Sequence, residues 1–157
     1  YTSKKNVLLI GLPGAFTPTW SNAQVPSYVE LQDTLRAKAE IDEIIIYCVN
    51  DGAVMSAWAA DLRVAHSEAN DKDGMFTFLG DPSGALTSAL DMEMTADGPK
   101  SVGIIGRCKR FAVYAVNGEV KYVAISESET DPAGDDNPSA TLAPAILDAI
   151  LKVKDEL

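Results

Sequence analysis

The stretch "PGAFTPTWS", Pro13 to Ser21, has the spacing of a loop that opens a helix around an anion, with Thr17 as the cap and Pro18 in the first helical position. The unpaired N–H groups of such a first turn converge at the positive end of the helix, where they bind an anion or stabilise a thiolate. Pro13 would shield that volume from water, and the Thr17 hydroxyl is able to accept and to donate a hydrogen bond to a ligand oxygen. Arg110, in "RCKRF" at 107–111, is the cation best placed to complete the site. Trp20 stands where a small or charged group belongs. An indole neither ionises usefully near neutral pH nor is oxidised reversibly.

The other chemistry-bearing residues read more plainly. His66, in the polar run "AHSEANDKDG", is a solvated residue near a helix end, and as the single histidine it cannot build a His-based metal site. Cys48 lies in an apolar strand and reads as a buried, inert thiol. Cys108 has Arg107, Lys109 and Arg110 beside it, a setting that depresses a thiol pKa, yet no motif presents a substrate to it. Two cysteines are too few for a disulfide scaffold or a Cys-rich zinc site, and no metal is expected. The segment "SESETDPAGDDNP" (126–138) holds five carboxylates and reads as an exposed loop. Its Asp131, Asp135 and Asp136 lack the alternate spacing and closing Glu of an EF-hand calcium loop.

These residues need elements to position them. "NVLLIGL" (6–12) and "EIIIYCVN" (43–50) are apolar runs suited to strands buried on both faces. Between them Val25, Tyr28, Val29, Leu35 and Ala39 recur at roughly helical spacing, with Pro26 expected to kink or restart the helix. Asn50-Asp51-Gly52 caps a second helix bearing Val54, Trp58, Leu62 and Ala65, with Trp58 in the core. "MFTFLGD" (75–81) is a third strand, followed by turn residues and the short helical stretch "ALTSALDM". "RFAVYAV" (110–116) and "EVKYVAI" (119–125) flank Asn117-Gly118, a two-residue hairpin signal. Leu142, Ile146, Ile150 and Val153 form the apolar stripe of a final helix. The order β-α-β-α-β-α-β-β-α predicts an α/β chain with a thioredoxin-like fold, a mixed central sheet with helices on both faces.

With 157 residues, 46% hydrophobic, the chain is long enough for one domain, 1–157, with its own core. Thirteen basic against 23 acidic residues give a net charge of −10. That charge repels phosphate backbones and anionic lipid, so neither nucleic acid nor membrane is an expected partner. No apolar run reaches the length of a bilayer span and no signal-like leader precedes the first strand, so the chain reads as soluble, in the cytoplasm or an organelle matrix.

The loop "PGAFTPTWS" resembles the active-site loop of the short type II (peroxiredoxin-V) peroxiredoxins, which reads Pro-Gly-Ala-Phe-Thr-Pro-Thr-Cys-Ser. "VND" at 49–51, "DPSGAL" at 81–86, "KRF" at 109–111 and "LAPAIL" at 142–147 extend the resemblance over most of the chain. It implies a thioredoxin-fold thiol peroxidase acting on hydrogen peroxide and organic hydroperoxides. A cysteine thiolate at the position of Trp20 would be the nucleophile, Pro13 its shield, Thr17 the partner of the peroxide, and Arg110 the group that lowers the thiol pKa and stabilises developing charge. The resemblance further implies thioredoxin, glutaredoxin or glutathione as reductant, a homodimer, and no bound cofactor.

Four departures accompany it. The nucleophile is absent, so the chain as written is expected to be inactive. Ala140 stands where some members carry a resolving cysteine, and Cys48 is displaced by two residues from where others carry one. A leading segment usual in the family is missing before the first strand. Two accounts of Trp20 follow: a substitution one base away from a Cys codon, or a natural pseudoenzyme whose Trp20 loop is a protein-binding module. The first is favoured, because Pro13, Thr17 and Arg110 together have no explanation as simple as lost chemistry. Crowding by the indole is expected to displace or unwind residues 17 to about 24 and to swing Trp20 outward.

Overall fold

The computed structural model describes residues 5–17, 23–64, 74–101, 103 and 105–156. The two apolar runs become the middle of a five-stranded sheet, β1 (Asn6–Gly11) and β2 (Glu43–Cys48), paired in parallel with Leu8 opposite Ile44. β3 (Phe76–Gly80) continues the parallel half beyond β2. The hairpin β4 (Phe111–Val116) and β5 (Glu119–Ile125) adds the antiparallel half, with β4 running against β1. The sheet order is β3-β2-β1-β4-β5. Asn117 and Gly118 both have positive φ, 55° and 82°, the backbone that a tight hairpin of native twist demands.

Side chains alternate across the pleat and so divide the core into two. On one face Leu8, Ile10, Ile44, Ile46, Ala112 and Tyr114 meet the helices α1 (Val25–Lys38), α2 (Gly52–Asp61) and α5 (Ala143–Asp155). On the other, Leu9, Tyr47, Phe111 and Val113 meet Leu86 of the short α3 (Ala85–Ala89) and the following Leu90 and Met92. The fold is the expected mixed sheet with helices on both faces. Trp58 is fully buried, with its ring edge-on to Phe78.

Of the two outcomes expected at Pro26, the restart is the one observed: α1 begins at Val25 after the π-helical Ala23 and Gln24, with Pro26 in its first turn. A further short helix, α4 (Asp97–Ser101), forms in a stretch whose composition, "DGPKS", gives no apolar period to detect. Asp51 caps α2 as its spacing indicated, accepting the Val54 N–H at 2.9 Å. Ala65 and His66 lie outside the described residues. No helix among the described residues is long and apolar enough to cross a membrane.

Candidate active site

The site lies where β1 ends and β4 begins. After Gly11, the turn Pro13 to Phe16 is held from behind by Asn50, which follows β2, through its Oδ1 accepting the Ala15 N–H at 3.0 Å. Phe16 adopts the left-handed region with φ 61°, uncommon for a bulky side chain, and its half-exposed ring lies 6.4 Å from that of Trp58. The Thr17 hydroxyl turns back and donates to the Gly14 carbonyl at 3.3 Å. Residues 18–22, Trp20 among them, lie outside the described residues, and so do the N–H groups that Thr17 is expected to cap. Of the residues expected to be displaced or unwound, 18–22 lie outside the described residues, and Ala23 and Gln24 form a π-helical stretch that runs into α1.

Pro13 and Thr17 line one side of a pocket of 140 Å³. Met94 and Pro99 close a second side, and Ala133 and Asp135, from the acidic loop, close a third. Arg107 completes the wall and donates from Nη1 to the Pro13 carbonyl at 2.9 Å. Its segment is held beside residues 92–94 by backbone bonds, Met94 N–H to Arg107 O and Lys109 N–H to Met92 O. The pocket is small and mostly apolar, with one guanidinium, one carboxylate and one hydroxyl among the described residues around it.

Arg110 does not stand at the rim as an exposed strand-end charge. Its side chain is 0% exposed, behind the loop that forms the pocket wall. The planar fork explains how burial is tolerated, since three nitrogens find three different acceptors. Nε donates to the Ala133 carbonyl at 3.2 Å, Nη1 to Gln24 Oε1 at 3.1 Å, and Nη2 to Asp135 Oδ1 at 2.8 Å. Burial pulls the Arg110 pKa down from its ordinary value, and the Asp135 carboxylate opposes that shift. The guanidinium remains charged at neutral pH because its ordinary value is so high.

A buried polar network fixes Gln24 in turn. Its Nε2 donates to the Thr141 carbonyl at 2.6 Å, the same oxygen that receives the Tyr28 hydroxyl at 2.6 Å. The Ser126 and Thr141 hydroxyls lie 3.0 Å apart. Burial pushes the Tyr28 hydroxyl far above its ordinary pKa, so it stays a donor.

The loop 126–138 is folded rather than merely solvated. The Asp131 carboxylate accepts the N–H groups of Asp135, Asp136 and Asn137 at 2.8, 3.1 and 3.0 Å. Gly134 has φ 67°, and a Cβ there would come within 2.2 Å of the Ser126 carbonyl. Only glycine fits that approach. Together these features aim Asp135 at Arg110. Gln24 was not singled out by the sequence, Arg107 entered only as a neighbour of Cys108, and Asp135 only as a rejected calcium ligand. The one available signal was for Gln24, four residues after position 20 and hence on the same face of a helix.

Both cysteines lie away from the pocket lining. Each is fully buried. Cys108 Sγ donates to the Leu12 carbonyl at 3.0 Å, and burial pushes its pKa up to about 12. The neighbouring basic residues therefore do not depress it, because desolvation of the thiolate outweighs them. Burial likewise raises Cys48. No group of three or more metal-ligating side chains exists among the described residues.

Comparison with known proteins gives a consistent picture. Residues 1–141 match the sequence profile of the family described as Redoxin. Peroxiredoxin-2C of Oryza sativa is 39% identical over 123 residues, covering 78% of this chain and 68% of that protein. Chloroplastic peroxiredoxin-2E of Arabidopsis thaliana is 38% identical over 126 residues, covering 80% of this chain and 50% of that one. Among solved structures, reduced Prx3 from Vibrio vulnificus in complex with hydrogen peroxide superposes with a TM-score of 0.73 at 32% identity, covering 93% of this chain and 78% of that one. The chain thus spans half to two thirds of the length of these two plant relatives.

Proposed function

The chain belongs to the redoxin family as a peroxiredoxin, and from that premise we propose that its pocket is the peroxide site of a thiol peroxidase whose nucleophile position is held by Trp20. The observation that carries this reading is the convergence of Pro13 and Thr17 on the same 140 Å³ pocket whose wall residues, Ala133 and Asp135, hold Arg110. In the active form a thiolate at position 20 attacks one peroxide oxygen. An S–O bond forms, the O–O bond breaks, and the departing alkoxide or hydroxide takes up a proton. The sulfur is oxidised by two electrons to a sulfenic acid, and two equivalents of thiol, from thioredoxin, glutaredoxin or glutathione, return it to the thiolate with loss of water. Pro13 excludes water, Thr17 orients the peroxide, and Arg110 supplies positive charge. With Trp20 in place no step follows, and the chain as it stands is catalytically dead.

The test is Trp20→Cys. A thiol at a helix start near Arg110 is expected to fall from about 8.5 into the roughly 3.5–7.5 range of activated cysteines and to be largely thiolate at pH 7. The variant should consume hydrogen peroxide with dithiothreitol, and should gain one oxygen in mass when the reductant is withheld. A folded Trp20→Cys variant no faster than the parent overturns the reading. The second reading, a binding module organised around the Trp20 loop, then takes its place. The half-exposed Phe16 on that loop favours it, since aromatic side chains concentrate at interfaces. The same residue supports assembly as a homodimer, for which sedimentation at micromolar concentration is the measurement. Monomer alone would count against it.

A further inference from the structure

The acidic loop contributes a carboxylate to the pocket wall, Asp135, whose charge the peroxidase reading uses only to hold Arg110. We propose that Asp135 determines the charge selectivity of this pocket, admitting uncharged peroxides and disfavouring anionic ones. The inference rests on the function proposed above.

Arg110 is the group that would otherwise attract a carboxylate-bearing ligand, because its fork matches that geometry. Its Nη2 is already engaged by Asp135 Oδ1 at 2.8 Å, while Nε and Nη1 serve the Ala133 carbonyl and Gln24. A ligand carboxylate would have to displace Asp135 and would leave that half-exposed carboxylate facing it across a pocket of 140 Å³. Arg107, whose Nη1 is given to the Pro13 carbonyl, keeps its positive charge, so the lining holds one cation offset by one anion, and the Asp135 charge is what stops the balance from favouring an anionic ligand. The remaining lining is apolar apart from the neutral Thr17 hydroxyl. The placement of Asp135 is specified rather than incidental. Three N–H groups bound to Asp131 and the left-handed Gly134 fix the backbone on both sides of it. The net charge of −10 adds a long-range repulsion of the same sign.

The experiment compares Trp20→Cys with Trp20→Cys/Asp135→Asn. Asparagine keeps an oxygen acceptor for Nη2 and removes the charge. kcat/KM is measured for tert-butyl hydroperoxide and for a short hydroperoxide bearing a carboxylate, at constant ionic strength. The ratio of anionic to uncharged substrate should rise roughly five- to tenfold in the Asn variant, and the gain should shrink as salt is added. A merely structural role would slow both substrates alike and leave the ratio unmoved. An unmoved ratio in an active Trp20→Cys background overturns the selectivity inference and leaves the peroxidase reading standing. A Trp20→Cys protein inactive toward every peroxide overturns both. A further arm needs no catalysis: acetate is titrated into the Trp20 chain and its Asp135→Asn variant, following the Arg110 Nε–H resonance. Tighter acetate binding in the Asn variant supports the inference, and equal affinity overturns it.

Discussion

Two walls of the pocket are made in opposite ways. The wall from Pro13 to Thr17 is built largely by local rules: a strand ends, a proline and a glycine break the regular backbone, and long-range bonds from Asn50 to Ala15 and from Arg107 to Pro13 hold the turn. The wall from Ala133 to Asp135 is built by a side chain acting as a template. One carboxylate, Asp131, gathers three successive N–H groups, and a buried arginine then seizes the result. Local turn chemistry leaves a visible mark in sequence. A template does so only when its distant partner is known. Five carboxylates in 13 residues read as solvated because nothing within the loop says that Arg110 faces one of them.

The comparison breaks most visibly at Arg110. Arg110→Met leaves the buried Gln24 Oε1 without its donor, at about 1–3 kcal/mol, and strips a donor from the part-buried Ala133 carbonyl as well. In the Trp20→Cys background it should also slow the peroxide step. A urea midpoint lowered by several kcal/mol equivalent would separate this buried role from that of a rim charge, which would leave stability unchanged. Gly134→Ala comes next, at about 1–3 kcal/mol, because it adds both left-handed strain and a clash with the Ser126 carbonyl. Its distinctive consequence is a shifted Arg110 Nε–H signal as Asp135 moves away.

The first wall should be more forgiving. Asn50→Ala removes the single bond to Ala15 and is expected to cost about 1 kcal/mol in chemical denaturation. A loss larger than that of Gly134→Ala would invert the contrast between the walls. The smallest effect concerns Cys108, beneath the first wall. Its pKa is raised from 9.0 to about 12 by burial, so its contribution to stability is complete below the unfolded pKa and declines as pH rises from about 9 through 12. Iodoacetamide at pH 8 should leave Cys108 unmodified in the folded protein and label it in denaturant. Labelling of the native chain would show that the wall opens.

Much of the scaffold was legible. The runs at 6–12 and 43–50 contain too many consecutive apolar side chains for any exposed element, and Asn117-Gly118 admits few backbones other than a tight turn. Pro26 was legible as a discontinuity, but the choice between a kink and a helix start was not, because proline suits both and only the path of the preceding residues decides. Of the site, Pro13 and Thr17 were found by local spacing. Gln24, Arg107 and Asp135 were missed because each acts through a partner 86, 94 or 25 residues away.

By itself the sequence determined the order of strands and helices, the hairpin and the apolar stripes, since all of these depend on backbone preference and periodicity within a few residues. The tertiary structure alone decided that Arg110 is buried rather than exposed and that Asp135 turns inward. It also decided that Cys108 is raised rather than lowered in pKa. Each is a question of how much water a charge keeps, and solvation is settled by what the distant chain brings to cover it.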